Sequence, residues 1–244
     1  MESGSIDWDL PWFAPWRGMG APAWARCVAG ASVPEALNAG DGSPVRFVAQ
    51  SQLPAGEPYE RFIFERRACP TRDNLHDFLN GLCWLRMPLA KRRLNELQAQ
   101  QIAVHGISGR RGPVRDAITL FDENGALLQA PPPLWEALLT RDWQRLFVGL
   151  RPLWAQARLL VFGHALLEQL ARPRKNLTAH VWRDPCPDAD PAAADAWLAP
   201  RCTTERLAAK PFTPLPVLGI PGWWPASENF SFYADSTVFR PPRR

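Results

Sequence analysis

Apolar positions along this chain come in short runs that Pro and Gly interrupt, which predicts many brief elements rather than a few long ones. Val45 to Gln50 and Tyr59 to Arg66 read as two strands. The second, YERFIFER, alternates polar and apolar over its centre, and the turn-rich QLPAGEP joins the pair. From Thr71 onward the spacing becomes helical, with Thr71 or Asp73 placed to accept a hydrogen bond as N-cap. Pro88 ends or kinks that helix, and LAKRRLNELQAQQ resumes it. In RDAITLFDENGALLQA two apolar runs flank a turn signal at Glu123-Asn124-Gly125, which predicts a β-hairpin. PPPLWEALLTRDWQRLFVGLRPLWAQ reads as short helices broken at prolines. RLLVFG predicts a buried strand leading into a short helix, HALLEQL. NLTAHVW gives a further strand, and a helix is expected around Ala192 to Leu198.

The two ends have a different pattern. Trp8, Trp12 and Trp16 are four apart, but Pro11 and Pro15 recur at the same interval. That predicts one or two short turns anchored by indoles rather than a long helix. A membrane-interface role for this segment lacks the basic charge to support it. PLPVLGIPGWWPASENFSFYADSTVFRPPRR is too aromatic for a disordered tail and is expected to wrap the domain. The reading is therefore a single α+β domain of mostly short helices with a few short strands. Residues 1–44 form an N-terminal wrap, 45–183 the core, and 184–244 a loop, a short helix and a C-terminal wrap.

Composition changes this picture little. The 244 residues include 12 Trp and 26 Pro, and all but Lys91, Lys175 and Lys210 of the 28 basic residues are arginine. Arginine grips phosphate well, yet the clusters Lys91-Arg92-Arg93, Arg110-Arg111, Arg172 to Lys175 and Arg240 to Arg244 are separate. No zinc-finger or RNP pattern accompanies them. Five scattered cysteines without a C-x-x-C pair argue against a zinc knuckle and a disulfide framework. Met1 to Asp9 has no basic stretch followed by an apolar one, and Leu159 to Leu170 is too short and too polar to span a bilayer. A cytoplasmic location is the expectation.

Five motifs occur in order: RDNLHDFLNGLCWLRMP, RDAITLFDENGALL, GHALLEQL, PLPVLGIPGWW and FYADSTVFR. Together they resemble the bacterial family known as domain of unknown function 3025, over nearly all of the chain after the first forty residues. The resemblance implies a bacterial origin and one family-wide domain. It brings no activity, cofactor or catalytic residue with it.

The best candidate chemistry lies on the helix after Thr71. At 100° per residue, Asp73, His76, Asp77, Asn80 and Trp84 share one arc, while Leu75, Phe78, Leu79, Leu82, Cys83 and Leu85 take the other. The first arc carries short polar side chains that are poor helix formers, beside an indole. This suggests a face that looks into a pocket or an interface. His76 has the chemistry of a general base, with an aspartate to orient it, and His76 with Asp73 or Asp77 would supply part of a metal site. The structural alternative is a capping network in which the aspartates serve the helix N-terminus. Arg72 adds a ligand-binding cation beside this arc.

His164 and Glu168, i and i+4 after a strand-to-helix junction, form a second candidate, although a buried histidine with a solvated glutamate fits as well. Asp116, Asp122 and Glu123, placed on the expected hairpin, either shape its turn or complete a carboxylate–histidine cluster. No G-x-S-x-G elbow, H-E-x-x-H, G-x-G-x-x-G or P-loop occurs. Cys83 belongs to the apolar arc, and Cys69, next to Pro70, is a weaker nucleophile candidate because a helix N-terminus lowers a thiol pKa.

The leading expectation is an enzyme or small-ligand binder with a pocket lined by His76, Asp77, Asn80 and Trp84, faced by His164 or a carboxylate. A non-catalytic module docking a protein through the same face and exposed tryptophans is the alternative, and arginine-mediated nucleic-acid binding the third. Cofactor, metal and partner are left open by the sequence.

Overall fold

A computed structural model describes residues 6–40, 42–106 and 112–241. Arg110-Arg111, most of the GISGRRGP loop, Met1 to Ser5 and the last three residues lie outside the described part.

The chain is mixed α and β, as the pattern predicts. In order it forms α1 (Arg17–Val28), α2 (Val33–Asn38), β1 (Arg46–Ala49), α3 (Tyr59–Arg66), β2 (Ala68–Thr71), α4 (Leu75–Arg86), α5 (Pro88–His105), α6 (Pro113–Asn124), β3 (Gly125–Gln129) and α7 (Pro132–Thr140). Then follow β4 (Arg158–Val161), α8 (His164–Leu170), β5 (Thr178–Trp182), α9 (Pro191–Leu198), α10 (Thr204–Ala208) and β6 (Phe212–Pro216), with short 3-10 and π turns between. A small parallel pair, β1 with β2, stands apart from a four-stranded sheet of order β4-β3-β5-β6. In that sheet only β3 and β5 run parallel.

Several expectations are corrected. Tyr59–Arg66 is a helix, not a strand: Phe62 and Ile63 are buried side by side, which strict alternation forbids, and Arg61 pairs with Glu65 one turn on. Arg67, at φ +48°, then turns the chain directly into β2. The expected hairpin is a helix followed by a strand. Val114, Ala117, Ile118 and Phe121 have helical spacing and are buried, so Asp116, Asp122 and Glu123 sit on α6. Gly125 is required there for space rather than for a turn. Its φ is an ordinary −70°, but a Cβ would approach the Phe121 carbonyl oxygen to 2.4 Å.

The N-terminal segment holds a full helix, α1, with Pro22 inside it, where short turns were expected. The helix α2 that follows was not anticipated. Near the other end, β6 contains Pro214 and Pro216. It lies at the sheet edge, where a missing N–H is tolerated.

One continuous apolar core runs through the molecule, and a minor cluster forms around Val48, Phe62 and Ala68. The terminal segments meet over this core, the ring of Trp12 lying 5.7 Å from that of Trp223. Phe147 stacks on Trp154 and Tyr233, closing the C-terminal wrap onto the π turn after α7. None of the twelve tryptophans is exposed, which agrees with indoles used as anchors and removes exposed tryptophans from the alternative reading of a docking surface. Among the described residues no helix is long and apolar enough to cross a membrane.

Candidate functional site

Helix α4 begins later than expected. Asn74 is its N-cap, its side chain accepting from the Asp77 backbone N–H at 2.8 Å. Thr71 instead donates to the Cys69 carbonyl, and Asp73 accepts from the Val33 N–H at the start of α2. Asp77 is bound by Arg72 three times, through its backbone N–H at 2.6 Å and its guanidinium at 3.0 and 2.9 Å. Neither aspartate approaches His76 in the hydrogen bonds that fix it, so the expected Asp–His pairing on this helix is corrected.

The partner of His76 is Glu168, 92 residues away. Its Oε2 lies 2.7 Å from His76 Nδ1. The glutamate on α8 is therefore not merely solvated; it reaches across to α4. Helix α8 packs against both α4 and α6, and this brings His164 to the same place. The two imidazoles meet through their Nε2 atoms at 3.1 Å, with ring planes at 76°. Behind His164, Nδ1 lies 3.7 Å from Asp122 Oδ2, too far for a hydrogen bond, and has no hydrogen-bond partner. Asp122 Oδ1 is held by Lys91 Nζ at 2.5 Å, Lys91 also donates to Asn80 Oδ1 at 2.8 Å, and Asn80 donates to the Tyr59 hydroxyl at 3.2 Å.

Protons can be assigned along this row. A 2.7 Å contact between an imidazole nitrogen and a carboxylate needs a proton between them, which puts N–H at His76 Nδ1; in the neutral ring this leaves Nε2 with a lone pair. His164 then donates to it through Nε2–H, and its Nδ1 is bare. Burial lowers the His164 pKa to about 4 against the opposing pull of Asp122, so the ring is neutral at pH 7. Burial would raise the Asp122 carboxyl, but the charge of Lys91 and its hydrogen bond hold it below its ordinary value.

His76, His164 and Asp122 of this row line a cavity of about 350 Å³, with Glu168 outside the lining, a volume typical of small-molecule sites. Arg72, His76, Asp77, Asn80, Trp84 and His164 all line it, with Tyr59, Lys91, Asp122 and Glu123. His76 retains 34% of its side-chain exposure, so it faces the opening, whereas His164 at 8% forms the floor. Asp116 is exposed at the start of α6 and Asp73 is engaged with α2; neither lines this cavity. Among the described residues, no group of three or more His, Cys, Asp or Glu side chains is gathered to hold a metal ion. Cys69 is not an activated thiol. Burial pushes it up to about 11, and it lies 3.2 Å from the Tyr59 hydroxyl. Cys83 is pushed up to about 12 by burial.

Two cavity residues were not foreseen in these roles: Tyr59 was assigned to a strand and Lys91 to a surface basic cluster, whereas Asp122 stands beside His164 as one of the carboxylates expected to complete a carboxylate–histidine cluster. Lys91 did carry a signal: it is one of three lysines in an arginine-rich chain and is flanked by Leu89, Ala90 and Leu94. The N-terminus of its helix is anchored by a buried carboxylate from α9. Asp195 accepts from the Leu89 and Ala90 N–H groups at 2.9 and 2.7 Å.

Lys91 is buried, Arg93 is turned to the Cys202 carbonyl, and Lys175 pairs with Asp235. Comparison with curated proteins and with solved structures returns no match. Residues 45–243 match the family described as "Protein of unknown function (DUF3025)". The chain belongs to the DUF3025 family.

Proposed function

We propose that the protein is an enzyme acting on a small molecule held in this cavity, by proton transfer that assists hydrolysis or elimination. His76 is the general base, Glu168 orients it through Nδ1, and His164 is its proton-sharing partner. The observation that carries the reading is the row Glu168–His76–His164–Asp122, with its one partly open nitrogen-bearing ring at the cavity mouth. A carboxylate behind an imidazole fixes its tautomer and stabilises the imidazolium that forms when the ring takes a proton.

A proton taken from the substrate at His76 Nε2 takes the place of the hydrogen bond from His164 Nε2–H, and the resulting imidazolium is held at Nδ1 by Glu168. A purely structural capping network would not need two imidazoles meeting at a cavity wall.

The test is a screen of small esters, amides and β-elimination substrates with wild type and His76→Ala side by side. Turnover falling at least a hundredfold in the variant, with an unchanged melting temperature, agrees with the reading. Turnover that survives in His76→Ala contradicts it.

A further inference from the structure

The charge of the cavity points to the class of molecule it takes. Its lining carries two permanent cations, Arg72 and Lys91, and four carboxylates, Glu60, Asp77, Asp122 and Glu123. Both cations are already engaged within the wall: Arg72 is bound in a two-pronged pair by Asp77, and Lys91 by Asp122 and Asn80. An anion entering the cavity would have to compete with these carboxylates. Glu60 and Glu123 have no side-chain partner among the described residues, and they come from different elements, α3 and α6. Asn95 holds the Glu60 carbonyl at 2.8 Å, fixing the backbone that presents this side chain. The floor adds His164, buried, neutral and with an unpartnered nitrogen. The whole chain is positive, +4, so this local surplus of negative charge runs against the global balance. A concave site with low-dielectric walls concentrates ions of opposite sign.

We infer that the cavity binds a small organic cation, an amine-bearing molecule whose ammonium group is received by Glu60 and Glu123. An inorganic divalent ion is the less favoured occupant, because no group of three ligands is gathered among the described residues. The inference rests on the cavity being the substrate site.

The experiment is calorimetric titration of the full chain at pH 7 with three molecules of one length: 1,4-diaminobutane, 1,4-butanediol and succinate. Zinc chloride is titrated separately, and the imidazole nitrogens are followed by NMR in the same samples. The expected result is diamine binding at least tenfold tighter than the diol, with no succinate binding, and a shift of the His76 signals. In Glu60→Gln/Glu123→Gln the diamine affinity falls at least tenfold. Succinate binding as tightly as the diamine, diamine binding no tighter than the diol, or diamine binding unaffected by the double variant would overturn the assignment. So would zinc binding in preference to the diamine with both imidazoles shifted. In each of those cases the His76 tautomer in the free protein is read independently, so a failure of the charge assignment is separable from a failure of the His76–Glu168 centre.

Discussion

The Nε2 atoms of His76 and His164 lie 3.1 Å apart, although 88 residues separate the two histidines in the chain. Neither helix would make this contact by its own geometry. It exists because α8 lies against α4 and α6 at once, so that each ring has a carboxylate behind it, Glu168 for His76 and Asp122 for His164.

Burial of His164 makes stability depend on pH. Its folded pKa of about 4 lies below the ordinary 6.5. Above 6.5 neither the folded nor the unfolded state binds the proton, and this residue contributes no slope. Between 6.5 and 4 the unfolded chain takes up a proton that the folded one refuses, so stability falls as the pH falls. The full shift corresponds to about 3 kcal/mol. Denaturant unfolding of wild type and His164→Gln at pH 7 and pH 4.5 is expected to show a loss on acidification that is smaller by about 2–3 kcal/mol in the variant. Equal losses in both proteins would be inconsistent with a buried neutral ring.

Gly163 sets the height of His164. A Cβ there would meet the Glu123 carbonyl oxygen at 2.4 Å and the Asn124 backbone at 2.5 Å. The N–H groups of Phe162 and Gly163 both donate to the Gly125 carbonyl, at 2.9 and 2.8 Å, which locks β4 and α8 to the end of α6. Backbone cannot yield as a flexible side chain can. Gly163→Ala is expected to cost about 1–3 kcal/mol and to move His164 relative to Asp122. Unfolding curves with the imidazole NMR spectrum check both, and a variant as stable as wild type with unchanged His164 signals would contradict the account.

Much of this was legible along the chain. The arc of His76, Asp77, Asn80 and Trp84 followed from helical periodicity, and all four line the cavity. His164 and Glu168 were marked by their i, i+4 spacing after a strand. What local pattern could not supply was the crossing of Glu168 to His76, which depends on how helices pack. Tyr59 was misplaced because an eight-residue amphipathic helix and a strand look alike when the centre alternates. Asp122 was misplaced because Asn124-Gly125 has the chemistry of a hairpin turn, while the glycine serves a close approach to Phe121.

Lys91 and Asp122 form a pair whose lysine is almost wholly enclosed. Removing one partner leaves the other charge uncompensated. Lys91→Met is expected to lose about 3 kcal/mol or more, while Lys91→Met/Asp122→Leu recovers a large part of it. The double-mutant cycle measured by denaturant unfolding checks this. Additive losses would mean that the two side chains are not coupled.

The most direct test of the central claim needs no substrate: long-range proton–nitrogen NMR of the histidine rings at pH 7, in wild type and Glu168→Leu. The account predicts His76 protonated on Nδ1 with a bare Nε2, and His164 neutral and protonated on Nε2. In Glu168→Leu the preference of His76 for Nδ1–H is lost. A wild-type His76 protonated only on Nε2, or His76 signals indifferent to the loss of Glu168, would contradict the pairing on which the proposed chemistry depends.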